Sequence, residues 1–412
     1  MERMEQKIQE YARLLIDVGL NLRRGQTLVI SASVECAAFA RLCAAAAYER
    51  GCREVVMNWG DDFLSRERYL HADGAVFDDV PAWRRHFYND YAAEGAARLA
   101  IDAADPETLS GVETERVVRA QRAAGEALDP FYRAQMNNEF PWCVASVPIP
   151  SWARKVFPGE AEDAAMQKLW DAILATVRVT GDGTAAEKWR AHLATLEARR
   201  DRLNALRLRT LRYRNGLGTD LTVALPEGCL WSSGRSVTPA GQAFVANMPT
   251  EEIFTAPHRL GVDGVVYAAM PLVDNGNVID GFHFVVRGGR IVEAHAERGE
   301  EFLKAAYTVD EGASYFGEVA LVPYDSPISR QGLLYYNTLF DENARCHFAF
   351  GEAYPECIEG GTAMTRAELR ERGLNRSINH VDFMVGTPDL SIVGTTRDGR
   401  EVPVFVDGNF AL

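Results

Sequence analysis

Residues 21–58, NLRRGQTLVISASVECAAFARLCAAAAYERGCREVVMN, decide the fold class of the first half of the chain. Within them, the apolar and β-branched run Thr27–Ser31 predicts a strand. An alanine-rich stretch from about Glu35 to Arg50 predicts a helix, and Glu54–Asn58 predicts the next strand. This strand–helix–strand order is typical of a parallel sheet with helices on its faces. We therefore expect an α/β domain built around these residues.

The same alternation extends outward from this stretch in both directions. Apolar residues recur at helical spacing over positions 3–18, which predicts a helix before the first strand. Residues 185–213 form one long, charge-rich helical pattern that is expected to lead out of the first domain. Between these two helices, strands are predicted at Arg98–Ile101 and Trp142–Val147, and helices at Thr114–Ala134 and Glu160–Thr176.

The pattern of predicted secondary structure changes after residue 213. Short strand-like runs alternate with the dipeptides Asn275-Gly276, Gly288-Gly289 and Asp398-Gly399, which favour β-hairpins. Helices are predicted near Glu300–Thr308 and Arg366–Arg372. We therefore predict two domains: an α/β domain at residues 1–213, with a parallel sheet flanked by helices, and an α+β domain at residues 214–412, rich in antiparallel strands.

The bulk composition argues against several classes of protein. The chain of 412 residues carries a formal net charge of -14, which argues against a nucleic-acid-binding surface. No apolar run approaches the length that spans a bilayer, and the N-terminal residues lack the apolar core of a signal peptide. The seven cysteines form no CxxC pair, which favours reduced thiols over a disulfide framework. We expect a cytoplasmic protein that binds neither nucleic acid nor membrane.

Three common catalytic motifs, GxSxG, GxxxxGK[ST] and HExxH, do not occur in the sequence. The sharpest remaining local signal is His380-Val381-Asp382. Residues two apart in a strand point to the same face, so His380 and Asp382 could present an imidazole and a carboxylate to one metal ion. A strand-end histidine with a structural hydrogen bond explains the same residues, and the motif alone leaves both interpretations open.

Acidic residues elsewhere in the second half allow similar pairs of interpretations. Glu251 and Glu252 could cap the next element or lie on a solvated loop. If they are buried, they cannot both stay ionised without a nearby cation, and one would be a ligand and the other a candidate base. Glu318 stands alone after Gly317 and is uninformative by itself.

One segment, residues 340–354, concentrates further candidate groups. His347 lies in a moderately apolar setting, where a hydrogen-bonded core histidine is the more frequent outcome. Two histidines and several carboxylates are together the ligand types for one or two divalent ions such as Zn, Co, Mn or Fe. These residue types alone still leave open a soluble α+β protein of another role. The segment reads FDENARCHFAFGEAY and contains Asp341, Glu342, His347, Glu352 and Tyr354.

Motifs along nearly the whole chain resemble the M29 family of thermophilic-type metallo-aminopeptidases. Two of them lie in the first half, YARLLIDVGLNLRRGQTLVI at 11–30 and LAIDAADPETLSGV at 99–112. The order and spacing of the motifs in the second half are specific to the family. Those motifs are NMPTEEIFTAP (247–257), GE (317–318), LLYYNTLFDENARCHFAFGEAYPECIEGG (333–361), NRSINHVDFMVGTPDLSIVG (375–394) and VPVFVDGNF (402–410).

The resemblance implies an aminopeptidase whose catalytic domain, residues 214–412, holds two divalent metal ions, which in this family are Zn, Co or Mg. Glu342 is expected close to these metals. Glu251 is then the candidate general base and also the fallback for the first ligand, and Tyr354 matches the family tyrosine. The residues that match the family's metal ligands are Glu252, Glu318, His347, His380 and Asp382.

The resemblance also implies a mechanism and partners. Two cations bridge a water molecule and lower its pKa. Glu251 takes the proton and passes it to the leaving amine, and the hydroxyl of Tyr354 helps to stabilise the tetrahedral oxyanion. The implied substrates are short peptides, the implied assembly is a homodimer, and the domain at residues 1–213 is expected to control access and to be associated with the dimer.

Relatives of this family suggest an alternative function, a non-haem Fe(II) ring-cleaving dioxygenase acting on dihydroxypyridines. Such an enzyme needs only two histidines and one carboxylate, here His347, His380 and Asp382. Glu252 and Glu318 would be superfluous for one iron ion but are needed for two metals, so their presence favours the aminopeptidase. A third interpretation is a catalytically inactive binding protein, and the retention of every expected ligand type argues against it.

Overall fold

The computed structural model of the protein describes residues 2–274 and 276–412. Its internal contacts divide the chain into two compact units. One unit contains the residues up to Thr195 together with Gly234–Thr250, and the other contains Leu196–Ser233 together with Glu251–Leu412. The domain ranges 1–213 and 214–412 stay a prediction. Among the described residues, no helix has both the length and the apolar character that crossing a membrane would require.

The helices of the described residues include long elements in the first half and short ones in the second. They are α1 (Glu2–Leu14), α2 (Ala37–Glu49), α3 (Asp62–His71), α4 (Ala82–Ala93), α5 (Thr114–Ala127), α6 (Asp129–Met136), α7 (Pro150–Val156), α8 (Glu162–Thr176), α9 (Ala185–Leu206), α10 (Glu300–Tyr307), α11 (Thr338–Asp341) and α12 (Arg366–Glu371).

The strands of the described residues range from two to seven residues in length. They are β1 (Thr27–Ser33), β2 (Glu54–Gly60), β3 (Ala97–Ile101), β4 (Trp142–Ala145), β5 (Leu208–Arg214), β6 (Asp220–Ala224), β7 (Ser232–Ser233), β8 (Ser236–Val237), β9 (Ala243–Phe244), β10 (Asn247–Met248), β11 (Ile253–Thr255), β12 (Val262–Tyr267), β13 (Leu272–Asp274), β14 (Asn277–Ile279), β15 (His283–Arg287), β16 (Arg290–His295), β17 (Phe316–Leu321), β18 (His347–Gly351), β19 (His380–Met384), β20 (Ser391–Thr396), β21 (Glu401–Val406) and β22 (Asn409–Phe410).

The first unit contains a five-stranded parallel sheet in the order β10-β4-β3-β1-β2. Leu28 and Ile30 of β1 are fully buried on one face and Val29 is 6% exposed on the other, as expected for a parallel sheet covered on both faces. The predicted α/β class of this region is therefore confirmed, and each of its four predicted strands is present. The short β10 joins this sheet from far along the chain, which the sequence pattern does not indicate.

Two features of the helices differ from the predictions. The helix predicted over Thr114–Ala134 is two helices, α5 and α6, because Pro130 lies in the first turn of α6 and cannot continue an α-helix from the residues before it. Four of the described helices, α3, α4, α7 and α11, lie where none was predicted, and two of these, α3 and α4, contain no buried residue among the described side chains. A helix without a buried stripe gives little of the 3.6-residue apolar pattern on which the prediction depends.

The long helical prediction over residues 185–213 is wrong for its last residues. The helix α9 ends at Leu206, Arg207 has a positive φ of 47°, and β5 follows. In β5 the buried Leu211 and Tyr213 alternate with exposed arginines, which is the two-residue period of a half-buried strand. Leu208 and Leu211 are also three residues apart, so this stretch fits a helical spacing equally well in sequence.

The described part of the second unit contains two large antiparallel sheets and the two-stranded antiparallel sheet β13-β14. One large sheet has five strands in the order β19-β18-β17-β11-β7, and the other has eight in the order β16-β15-β12-β6-β5-β20-β21-β22. The predicted α+β class with antiparallel strands is confirmed, as are helices near Glu300 and Arg366. Gly288, Gly289 and Gly399 have positive φ values in the turns between paired strands, as their hairpin signals predicted. The Asn275-Gly276 signal cannot be assessed in the same way, because Asn275 lies outside the described residues.

Phenylalanine side chains connect the two large sheets of the second unit. The ring of Phe284 on β15 lies 5.9 Å from that of Phe350 on β18 and 5.2 Å from that of Phe383 on β19. The rings of Phe316 and Phe348 lie 5.4 Å apart and belong to the same buried cluster. One face of the five-stranded sheet is thus packed into an aromatic core, which leaves the other face for polar side chains.

Candidate metal centre

The polar face of the five-stranded sheet is built by strand register. Glu318 of β17 lies opposite Ala349 of β18, and Ala349 lies opposite Asp382 of β19, so these three residues form one row across the sheet. His347 is two residues before Ala349, and His380 is two residues before Asp382. Residues that are paired or two apart in a strand share a face, so all four functional side chains point the same way. The small side chain of Ala349 leaves room at the middle of the row.

A bulge in β17 separates this polar face from the aromatic core. Phe316 pairs with Phe350, yet Glu318 pairs with Ala349, so the register shifts by one residue at Gly317. Without the shift, Phe316 and Glu318 would point to the same face of the sheet. With it, Phe316 packs into the aromatic core while Glu318 points into the polar site.

Two further carboxylates come from segments beside the sheet. Glu252 immediately precedes β11, whose ladder with β17 begins at Ile253. Glu342 begins a single 3₁₀ turn, Glu342–Ala344, shortly before β18. Glu252 and Glu342 are 8% and 7% exposed, so both are buried, and the solvated-loop interpretation does not hold for Glu252.

The side chains of these residues converge on the two imidazoles. The Nε2 atom of His347 lies 3.2 Å from Glu252 Oε2, 3.5 Å from Glu318 Oε1 and 4.0 Å from Asp382 Oδ1. The Nε2 atom of His380 lies 3.5 Å from Glu318 Oε2 and 3.4 Å from Asp382 Oδ1. Each histidine therefore faces at least two carboxylates, and Glu318 and Asp382 lie near both.

Main-chain carbonyls orient both imidazoles. The Nδ1 atom of His347 lies 3.1 Å from the carbonyl oxygen of Arg345, and that of His380 lies 2.8 Å from the carbonyl oxygen of Glu352. A carbonyl can only accept, so Nδ1 carries the proton and a neutral ring keeps its Nε2 lone pair for the cluster. Nε2 of His347 is buried, and among the described residues it makes no hydrogen bond of acceptable geometry, despite its short distances to the carboxylates.

Burial dominates the protonation of the acids. It raises the pKa of Glu318, although the neighbouring imidazole of His347 acts in the opposite direction. It also holds the pKa of Glu342 well above its ordinary value, and the charge of Asp382 adds to that effect. Burial would raise the pKa of Asp382 as well, but the positive charge of His380 outweighs it and lowers that pKa. In the absence of a metal ion, the three acids therefore differ in how readily they ionise.

For the two histidines, the neighbouring charges outweigh burial and determine the direction in which the pKa shifts. Burial would lower the pKa of His347, but the carboxylates of Glu252 and Glu318 outweigh it and hold that pKa well above its usual value. The pKa of His380 is raised to about 10, because the charge of Asp382 outweighs the effect of burial. Protons on the imidazoles thus supply the positive charge that the carboxylates need. A bound divalent cation would replace those protons.

The donor set fits divalent metal ions. Each of three groups brings one ligand atom per residue within 4.8 Å of the others: Glu252, Glu318 and His347; Glu318, His380 and Asp382; and Glu342, His347 and Asp382. Imidazole nitrogen with carboxylate oxygen suits zinc, cobalt and related ions. The buried Nε2 of His347 supports the same conclusion, because it faces three carboxylates without a hydrogen bond of good geometry to any described residue, and a buried polar atom in that position is costly unless something else binds it.

The two other predicted site residues lie beside this cluster. Tyr354 packs its ring 5.3 Å from the ring of His380 and 5.6 Å from that of Phe254. Burial, followed by the negative charge of Glu318, raises the pKa of Tyr354 well above its ordinary value, so its hydroxyl stays a hydrogen-bond donor. Glu251 is 5% exposed, but among the described residues its carboxylate belongs to none of the three ligand groups.

Some residues that shape the site carry no clear signal in the sequence. Asn343 contacts both Glu342 and the main chain of Glu251, and its only signal is its position beside Glu342 in the Asp-Glu-Asn segment. Glu352 supports His380 through its carbonyl oxygen, a role that any residue type could fill. Ala349 could be found from the alternation of small and aromatic residues in His347–Gly351, which predicts one crowded and one open face.

Comparison with known proteins gives full-length matches. A family model described as "Thermophilic metalloprotease (M29)" matches residues 4–410. The chain is 43% identical to aminopeptidase AmpS of Bacillus subtilis and 42% identical to aminopeptidase T of Thermus aquaticus, with all of each chain covered in both cases. The solved structure titled wild-type AmpT from Thermus thermophilus is 40% identical, has a TM-score of 0.90, and covers 99% of this chain and 100% of its own.

Proposed function

This chain belongs to the M29 family of thermophilic metalloproteases and is an aminopeptidase, and on that premise we propose that its carboxylate–histidine cluster holds two divalent cations for removing the N-terminal residue of short peptides. The observation that carries the proposal is the number of ligand atoms. Six residues form three overlapping groups, and Glu318, His347 and Asp382 each belong to two of them. One zinc ion takes about four ligands, so this donor set exceeds what a single ion needs.

Two cations at such a cluster would lower the pKa of bound water and polarise the scissile carbonyl. In the proposal, Glu318 and Asp382 would help to hold both ions, because each approaches both imidazoles within 4.0 Å. His347 and His380 bind through Nε2, since their Nδ1 atoms are occupied by the carbonyls of Arg345 and Glu352.

Two side chains beside the cluster are proposed to handle protons and charge. Glu251 is buried next to the ligand Glu252, and as general base it accepts a proton from water and gives it to the leaving amine. Tyr354 donates its hydroxyl hydrogen to the developing oxyanion, a role that its raised pKa favours because the phenol stays protonated. The excess of carboxylates over histidines also suits recognition of the positively charged α-amino group of a peptide.

Metal analysis combined with an activity assay tests the proposal. We expect about two divalent ions per chain by elemental analysis. Removal with a chelator should abolish hydrolysis of aminoacyl-p-nitroanilides, and added Zn²⁺ or Co²⁺ should restore it. One iron ion per chain with oxygen uptake on an aromatic diol would instead identify the dioxygenase chemistry and contradict the two-metal proposal.

Paired substitutions separate the roles of the adjacent glutamates. Glu252→Gln should lower the metal content from about two ions towards one, because Glu252 Oε2 lies 3.2 Å from Nε2 of His347. Glu251→Gln should keep both ions and lower kcat by about 10²- to 10³-fold, as expected for loss of a general base.

Each of these two variants is the matched control for the other, because both remove one buried negative charge without changing side-chain volume. Metal content is measured by elemental analysis after gel filtration, and folding by circular dichroism. Full metal content in Glu252→Gln together with metal loss in Glu251→Gln would exchange the two assignments.

A further inference from the structure

We propose that Asn343 is a positioning residue of the metal centre, which fixes the main chain at Glu251 and the carboxylate of Glu342 relative to each other. The inference rests on the proposed function, because Glu342 is a proposed ligand and Glu251 the proposed base. Asn343 itself supplies no metal ligand in this arrangement. It acts through the two glutamates that it contacts.

The side-chain amide of Asn343 uses both of its ends. The residue is fully buried. Its Oδ1 accepts a hydrogen bond from the N–H of Glu251 at 2.7 Å, and its Nδ2 donates to the carbonyl oxygen of Leu339 at 2.9 Å and to Glu342 Oε1 at 3.2 Å. An amide N–H can only donate and a carbonyl can only accept. The orientation of the Asn343 side chain is therefore determined by its partners, and a flipped amide would lose all three bonds.

The main chain at Glu251 depends on this contact because it lies outside the sheet ladder. Pairing between β11 and β17 begins at Ile253, two residues further on. The hydrogen-bond acceptor for Glu251 N–H is instead Asn343, 92 residues later in the chain. The carbonyl of Asn343 accepts a hydrogen bond from the hydroxyl of Ser326 at 3.2 Å, so the residue is itself anchored.

A shift of this contact would affect several groups at once. Glu251 and Glu252 are adjacent, so movement of the main chain at Glu251 moves both carboxylates, and Glu252 Oε2 lies only 3.2 Å from His347 Nε2. The amide donor also directs one oxygen of Glu342 within the group that it forms with His347 and Asp382. Loss of such an outer hydrogen bond typically lowers metal affinity by about 10- to 100-fold.

Two substitutions separate the two halves of this role in the full-length protein. Asn343→Asp keeps an acceptor for Glu251 N–H but replaces the donor to Glu342 with a carboxylate oxygen. Asn343→Leu has a similar volume and removes both interactions. The matched control is Asn204, whose amide clamps the N–H and carbonyl of Trp231 at 2.8 and 3.1 Å in the same unit and contacts no proposed ligand.

Zn²⁺ affinity is measured by competition with a chromophoric chelator, and hydrogen exchange of residues 247–255 is measured on the metal-free protein. Both Asn343 variants should bind Zn²⁺ at least about tenfold more weakly than the corresponding Asn204→Asp and Asn204→Leu variants. Exchange in the 247–255 segment should rise at least about tenfold in Asn343→Leu and stay within about twofold of wild type in Asn343→Asp.

Either of two results would overturn the proposal. One is unchanged hydrogen exchange in Asn343→Leu, and the other is a Zn²⁺ affinity in both Asn343 variants equal to that of the Asn204 controls. If Asn343→Leu does not fold, the affinity of Asn343→Asp decides. Failure of the proposed function gives a different result, because wild-type protein would then lack two bound cations. The exchange comparison on metal-free protein still decides in that case whether Asn343 holds Glu251.

Discussion

Glu318→Gln is expected to lower kcat/KM for peptide hydrolysis by at least about 10⁴-fold, which corresponds to about 5 kcal/mol of transition-state stabilisation. Glu318 lies 3.5 Å from the Nε2 atoms of both His347 and His380, and it belongs to two of the three ligand groups. Its loss therefore weakens both proposed metal positions at once. Kinetics on an aminoacyl-p-nitroanilide with saturating metal measure the effect.

The same substitution should leave the stability of the metal-free protein close to that of wild type at neutral pH, because it removes the cost of burying the Glu318 charge and also the pairing of that charge with His347 and His380. Burial raises the pKa of Glu318. An acid whose pKa is raised on folding costs folding free energy at every pH above its unfolded-state pKa, and that cost disappears as the pH falls below it. Glutamine has no charge to bury, so the cost is removed. Loss of activity with unchanged or higher thermal stability would thus exclude misfolding as the cause.

Glu10→Gln is the matched control for this variant. Glu10 is a partly buried carboxylate in the first unit that accepts hydrogen bonds from the N–H groups of Gly181 at 2.9 Å and Ala185 at 3.0 Å. Glu10→Gln makes the same chemical change at a position that is distant in sequence from the proposed ligands. Its kcat/KM should therefore stay at the wild-type value. Full activity in Glu318→Gln would refute the two-metal site.

Gly317→Ala is expected to lower the free energy of unfolding by about 3 kcal/mol and to disturb the site as well. An added Cβ would lie 2.5 Å from the carbonyl oxygen of Gly351 and closer still to that of Glu352. Main-chain atoms of a paired strand cannot move away as a flexible side chain can. The carbonyl of Glu352 also accepts the Nδ1–H of His380, so any displacement tilts a proposed ligand.

Denaturant unfolding of the metal-free protein measures the stability change, and chelator competition measures the effect on metal affinity. Gly60→Ala is the control, because Gly60 ends a strand with ordinary φ and the nearest atom to an added Cβ, the carbonyl oxygen of Ala32, is 3.9 Å away. That variant should change stability by no more than about 0.5 kcal/mol. Equal stabilities of the two variants would show that the bulge at Gly317 tolerates a side chain.

The sequence predicts those parts of the site that depend on local geometry. His380 and Asp382 share a face because they are two apart in one strand, and that rule holds wherever the strand lies. Glu318 is different, since it becomes part of the site only through its row with Ala349 and Asp382. The register of strands distant in sequence depends on packing of the whole sheet, and the resemblance to a known family supplied what local patterns could not.

Prediction of the fold likewise succeeds for features that depend on local sequence and fails for features that depend on tertiary contacts. The parallel sheet follows from the order of elements around residues 21–58, and the hairpins at Gly288 and Gly399 follow from residues that tolerate positive φ. The end of α9 at Leu206 did not follow, because the next residues suit a helix and a strand equally well and tertiary pairing with β6 and β20 decides between them. The contacts of Asn343 with Glu251 and Leu339 were also hidden, because those partners are main-chain atoms.

The aromatic face of the five-stranded sheet bears on whether the protein folds before or after it binds metal ions. Phe316, Phe348 and Phe383 fix the strands through packing with one another, on the side away from the ligands. A zinc finger needs its ion to fold, whereas here the scaffold draws its stability from buried hydrocarbon. We therefore expect newly made protein to fold before it binds ions. Occupancy would then follow whichever cation the surroundings supply, and mismetallation would be reversible by simple exchange.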